Sequence, residues 1–241
     1  MINQITIQQE EQVLSKVTYP IVKINDRIVF NADGTYVLLD TGFPNSVSFN
    51  GKIGPFNVGM QSKVFFDSFI NLIAPDGSKV MAILSPMDGY NCRLTQNGIT
   101  ITDEKEANPE HDYFLPFVGG LLPIVEGTMN GTSIRFFFDS GARMTMFGEE
   151  ALAGGKPMTG SYTEWLAMLR QNATLPVYDV ALDFPCGLHY NGKGALVQRQ
   201  EYLMASQRMG IRAMLGIDIF NEYDVYISMA NDKRGIALSR R

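Results

Sequence analysis

VEGTMNGTSIRFFFDSGARMTMF, residues 125–147, has the build of a β-hairpin that runs straight into an acidic turn. Asn130-Gly131 takes positive φ at low steric cost, which favours a tight hairpin connection. The apolar run Ile134-Arg135-Phe136-Phe137-Phe138 follows and stops at Asp139-Ser140-Gly141. The same plan occurs earlier, in residues 28–49, IVFNADGTYVLLDTGFPNSVSF, with Asp33-Gly34 as the turn. There the apolar run Tyr36-Val37-Leu38-Leu39 ends in Asp40-Thr41-Gly42. Ser46 and Thr145 hold equivalent places beyond the two acidic turns, each followed by another apolar segment.

Further matches keep the same order, the signature of an internal duplication. Ala82-Ile83-Leu84 followed by residues 90–95 parallels Ala213-Met214-Leu215 followed by residues 223–228, and Gly98-Ile99-Thr100-Ile101 parallels Gly235-Ile236-Ala237-Leu238. The chain therefore reads as two β-rich lobes, residues 1–110 and 111–241, divided in the polar, Pro-containing stretch 103–113. Helical signals are sparse. Residues 161–170 predict one helix, from the capping-box spacing of Ser161 and Glu164 and an apolar stripe of Tyr162, Trp165, Leu166 and Leu169, and residues 219–223 predict a second, short one.

Composition narrows the function. Hydrophobic residues make up 45% of the 241 and charged residues 19%, which fits a folded globular chain. With 20 basic against 25 acidic residues the net charge is −5, the wrong sign for binding through phosphate contacts, so no nucleic-acid partner is expected. Cys92 and Cys186 form neither a disulfide framework nor a Cys/His metal cluster, and no metal or cofactor is expected. His111 and His189 offer little material for a His-based triad. The start of the chain has no basic n-region or apolar h-region, and no apolar run reaches about 18 residues. A cytoplasmic protein with no membrane association is the expectation.

Two aspartates at strand ends, each followed by Thr or Ser and then Gly, suit a particular chemistry. Glycine lets backbones approach closely, and a Thr or Ser hydroxyl can hydrogen-bond across to a partner turn. Facing one another, Asp40 and Asp139 could not both ionise easily and would share a proton as a coupled pair. Such a pair can act as base toward a water and acid toward a leaving amine, with neither metal nor histidine. The plainer reading of each is an aspartate capping a turn.

Residues 121–147 together with 213–228, AMLGIDIFNEYDVYIS, resemble the retropepsin and pepsin-like aspartic peptidases. The family pattern appears as Phe138-Asp139-Ser140-Gly141-Ala142, then Thr145, then Met214-Leu215-Gly216. In the first lobe it appears as Leu39-Asp40-Thr41-Gly42 and Ser46; Phe43-Pro44 departs from it, and Ile83-Leu84-Ser85 replaces apolar-apolar-Gly. The resemblance implies a mainly β fold of two pseudo-twofold-related, barrel-like lobes with a few short helices. It implies Asp40 and Asp139 as the catalytic pair, in turns supported by Thr41, Gly42, Ser140 and Gly141. Ser46 and Thr145 are either second supports or ordinary strand hydroxyls. The implied substrate is an extended peptide or unfolded protein, cleaved by a monomer because one chain supplies both carboxylates. The altered first lobe keeps open a catalytically silent module that binds a peptide or partner protein in the same cleft, and a homodimer using Asp139 alone is a third option. Residues 51–56 or 186–192 could supply the flap over the cleft. Arg143 suits a structural ion pair or a reach to substrate, and Asp218 and Asp224 suit caps or surface charges.

Overall fold

The computed structural model describes residues 16–58, 60–61, 72–118, 122–151, 157–166, 171–197 and 210–241. Alternating apolar runs closed by Gly, Asn and Asp turns give a mainly β molecule. At the two hairpin turns that open the acidic motifs, Asp33 and Asn130 take φ of 51° and 50°, and the following Gly34 and Gly131 take 89° and 81°. The two consecutive positive φ values give the turn the twist that lets the flanking strands pair.

The first-half sheet runs in the order Ile21–Ile24, Arg27–Ala32, Thr35–Leu39, Ala82–Leu84, Val47–Ser48, Met60–Gln61. The second-half sheet runs Ile124–Met129, Thr132–Phe138, Ile211–Leu215, Met146–Phe147, His189–Leu196, Gln171–Asp183, Gly160–Leu166. Its first strand also pairs with Gln171–Asp183, through Thr128↔Asp183 and Met129↔Leu182, which closes six strands into a barrel. The pairings around the two acidic turns correspond strand for strand. Thr35–Leu39 lies parallel to Ala82–Leu84 as Thr132–Phe138 lies parallel to Ile211–Leu215. Val47–Ser48 and Met146–Phe147 lie antiparallel to the same two partners. The two-lobed β architecture read from the sequence is the one these strands build.

A third sheet draws on both halves, in the order Lys16–Tyr19, Ile99–Thr102, Asn91–Leu94, Tyr223–Ser228, Gly235–Arg240, Tyr113–Pro116. Its central seam is Cys92↔Ile227, Arg93↔Tyr226 and Leu94↔Val225. Beneath the acidic turns the core is aromatic and aliphatic, with Phe30, Phe136, Phe138, Phe147, Phe220, Leu39 and Leu84 fully buried. In the Phe136-Phe137-Phe138 run the outer two are buried and Phe137 is half-exposed, the alternation of a pleated strand.

Two helix expectations are corrected. Gly160–Leu166 is a strand, paired antiparallel with Gln171–Asp183 in the register Tyr162↔Leu175 and Glu164↔Ala173. Tyr162 and Glu164 face inward while Ser161 and Thr163 are exposed, a period of two that the charged Glu164 disguises in the sequence. Residues 167–170 lie outside the described residues. The short helix starts earlier than expected, as a 3₁₀ turn over Ile217–Phe220, and Tyr223 already belongs to the next strand. A matching turn, Pro86–Asp88, follows the first-half partner strand.

Candidate active site

The two acidic turns meet at the centre of the molecule. Each aspartate continues its strand by one residue, since Asp40 N–H donates to the Leu84 carbonyl and Asp139 N–H to the Leu215 carbonyl, both at 3.0 Å. Each carboxylate then folds back onto its own turn. Gly42 N–H donates to Asp40 Oδ1 and Gly141 N–H to Asp139 Oδ1, both at 2.8 Å.

The hydroxyls lock the turns to each other. Thr41 N–H donates to Ser140 Oγ at 3.0 Å, and Ser140 N–H donates to Thr41 Oγ1 at 2.9 Å. Thr41 Oγ1 in turn donates to the Phe138 carbonyl at 2.9 Å and Ser140 Oγ to the Leu39 carbonyl at 3.2 Å. Both residues are buried, so all four bonds form away from water. The grip brings each glycine under the opposite carboxyl. A Cβ on Gly42 would stand 2.5 Å from Asp139 Cγ, and one on Gly141 would stand 2.7 Å from Asp40 Cγ.

Asp40 and Asp139 are hydrogen-bonded to each other and titrate as one system. Burial raises Asp40 well above the usual carboxylate range, and the charge of Asp139 and the bond to it push in the same direction. Burial also raises Asp139, but the bond from Asp40, the N–H groups of Gly141 and Ala142, and the Arg27 cation all oppose that rise. Burial thus favours keeping a proton on the pair, and the Arg27 cation that opposes the rise acts on the Asp139 side.

Ser46 and Thr145 lie behind the turns. Ser46 Oγ accepts from Ser85 N–H at 3.0 Å, and Thr145 Oγ1 accepts from Gly216 N–H at 3.2 Å. Glycine is required at 216, where a Cβ would stand 2.5 Å from the Met144 carbonyl carbon. In the first half Ser85 takes that place and its hydroxyl donates to the Phe43 carbonyl at 2.5 Å. In the second half the matching carbonyl, that of Ala142, accepts from Ile217 N–H at 3.0 Å; Pro86 has no N–H to give, and the Ser85 hydroxyl supplies the tie in its place.

Asp88 and Asp218 are the residues sequence reasoning missed. Ser46 N–H donates to Asp88 Oδ2 at 2.6 Å, and Thr145 N–H donates to Asp218 Oδ1 at 3.1 Å. Asp218, which the sequence suggested as a cap or surface charge, is buried enough that its pKa is pushed up to about 6 and also accepts from the Tyr190 hydroxyl at 3.3 Å. The signal lay in the sequence likeness of segments 83–85 and 214–216, because both acids follow closely on them.

Arg143 resolves to an ion pair, its Nε donating to Glu164 Oε2 at 3.2 Å. Of the two flap candidates, residues 51–56 hold the small pair Lys52–Ile53 and Phe56–Asn57, and residues 186–192 hold a turn and the start of His189–Leu196. A longer hairpin than either is Gly160–Leu166 with Gln171–Asp183, which packs Tyr162, Ala173 and Leu175 around Ala142 beside the Asp139 turn. Among the described residues no group of three or more His, Cys, Asp or Glu side chains is placed to hold a metal ion.

No protein-family model and no curated protein matches this sequence. Among solved structures, the aspartic proteinase from Irpex lacteus superimposes with a TM-score of 0.54 at 11% identity, over 93% of this chain and 98% of that one. At that identity the likeness is one of fold, and the chain has the bilobal, mainly β architecture of an aspartic proteinase.

Proposed function

We propose that the chain is an aspartic endopeptidase in which Asp40 and Asp139 activate a water between them. The observation that carries the reading is the crossed pair itself: two carboxyls bonded to each other, each held over the glycine of the opposite turn. Asp139, as the charged member, takes a proton from the water while the oxygen attacks the scissile carbonyl. Asp40, as the protonated member, gives its proton to the carbonyl oxygen, forming a neutral tetrahedral diol. Asp139 then returns its proton to the leaving amine as the C–N bond breaks, and Asp40 recovers one from the collapsing diol, which restores the starting state. Each group of this kind contributes about 10²–10⁴-fold. The substrate is an extended peptide bound between the lobes, and one copy of the chain supplies both carboxylates.

Incubation with a peptide library from acidic to neutral pH tests the reading. Cleavage is expected in the wild type and should fall by at least about 10²-fold in Asp40→Asn and in Asp139→Asn. Cleavage that persists unchanged in both variants would refute the mechanism.

A further inference from the structure

Glu164 is a charged residue in an inward position of the Gly160–Leu166 strand, its side chain only 4% exposed. A carboxylate there needs compensating partners. It has two guanidiniums and a phenol. Arg27, which begins the Arg27–Ala32 strand in the first half of the chain, donates from Nη2 to Glu164 Oε1. Arg143 donates from Nε to Oε2 and from Nη2 to the Thr163 carbonyl at 2.9 Å, and the Tyr162 hydroxyl also donates to Oε2. Two guanidinium cations against one carboxylate leave this cluster with a positive excess.

That excess sits on one side of the pseudo-twofold arrangement. Arg27 Nε donates to the Gly141 carbonyl at 3.1 Å, in the turn that carries Asp139. Two residues before each aspartate, Leu38 pairs with Val29 and Phe137 pairs with Ile124, so counted from the acidic turns the apolar Leu122 occupies in the second half the place of Arg27. Likewise Pro44 stands after Asp40 where Arg143 stands after Asp139. At both of these positions the cation belongs to the Asp139 side.

We propose that Arg27 is a positioning residue for the carboxyl pair, placing its cation beside the Asp139 turn and thereby fixing Asp139 as the ionised member and Asp40 as the protonated one. The charged and titratable groups facing Arg27 are Glu164, Arg143 and Tyr162 from the second half, with the carboxyl pair on its other side. The effect on turnover rests on the peptidase reading; the effect on the proton does not. In turnover, Arg27 assigns the base role to one carboxylate in advance, so the resting pair is not an even mixture of two protonation isomers.

The experiment is a carboxyl-carbon NMR titration of the full chain labelled at aspartate, with Asp40→Asn and Asp139→Asn assigning the signals, alongside the pH profile of kcat/KM on a cleaved peptide. In Arg27→Met the lower step of the pair is expected to rise by about one pH unit, and the acid limb of kcat/KM to move with it. Arg27→Lys restores the charge without the planar fork and should return most of the shift. Glu164→Gln, which enlarges the positive excess while leaving Arg27 in place, should move the step downward and serves if Arg27→Met does not fold. A lower step that stays put in a folded Arg27→Met, or that fails to fall in Glu164→Gln, overturns the proposal. A wild type that titrates as described yet cleaves nothing would sink the peptidase reading and leave the role of Arg27 standing.

Discussion

Gly42 and Gly141 show how narrowly the carboxyl pair is spaced. Neither takes the positive φ that would exclude alanine on backbone grounds, so a methyl group at either position tests space alone. At 2.5 Å from Asp139 Cγ, the Gly42→Ala methyl has to displace the carboxyl it meets. Overpacking of this kind costs about 1–3 kcal/mol of stability. Misplacing a reacting group by about 1 Å costs on the order of 10²-fold in rate, so kcat should fall by about that much while the fold survives. Measuring kcat and the unfolding midpoint together on Gly42→Ala separates the two effects, and a wild-type kcat would contradict the geometry. Both glycines were legible in the sequence because each follows an apolar strand end in a repeated Asp-Thr/Ser-Gly triplet, although the carboxyl that excludes a side chain there comes from the opposite turn. Asp218 was not, because its burial depends on Tyr190 and Thr145, which the chain brings in from distant segments.

The 3₁₀ turn Ile217–Phe220 places Asp218 behind the Asp139 loop and makes that element sensitive to pH. Its pKa, pushed up chiefly by burial to about 6, lies above the value near 3.9 of an unfolded aspartate. The folded state therefore binds this proton more tightly, and the stability it contributes is complete below about pH 4 and lost as pH rises through about 6. Roughly two pK units at about 1.4 kcal/mol each bound the change at about 3 kcal/mol. Relative to wild type, Asp218→Asn should gain up to that amount between pH 4 and 7 in urea denaturation, and a difference that stays constant with pH would rule the assignment out. The strand Gly160–Leu166 shows why elements were legible unevenly. Hairpins announced by Asn-Gly and Asp-Gly could be read because turn chemistry is local, whereas a strand with a buried glutamate looks like an amphipathic helix until its two arginines are in place. The parallel pairings of Thr35–Leu39 with Ala82–Leu84 and of Thr132–Phe138 with Ile211–Leu215 join segments far apart in the chain, and only the matching order of the sequence segments hinted at them.

At the scale of the whole molecule, the two matching Asp-Thr/Ser-Gly segments suggested two halves but gave no sign of how firmly they are joined. The third sheet pairs Asn91–Leu94 with Tyr223–Ser228, so each half supplies strands that would otherwise be open edges of the other. At one end of that seam lies Asn91, fully buried, whose Oδ1 accepts from Met229 N–H at 2.8 Å and Ala230 N–H at 2.9 Å. Its Nδ2 donates to the Glu104 carbonyl and to Asn231 Oδ1, both at 2.9 Å. Asn231 Oδ1 also accepts from Glu106 N–H at 2.8 Å, while its Nδ2 donates to Asn108 Oδ1 at 2.9 Å, so the polar stretch between the halves is pinned to the second. Composition alone marks that stretch as a linker; two buried amides make it part of the seam. Asn91→Ala strips the acceptor from two backbone donors at once, and an unsatisfied buried donor costs about 1–3 kcal/mol. The expected loss is therefore about 2–6 kcal/mol in urea denaturation, still as one cooperative transition, because both halves lose the same seam. Amide exchange should quicken together in Asn91–Leu94 and Tyr223–Ser228, and quickening confined to one of them would mean that the halves unfold independently.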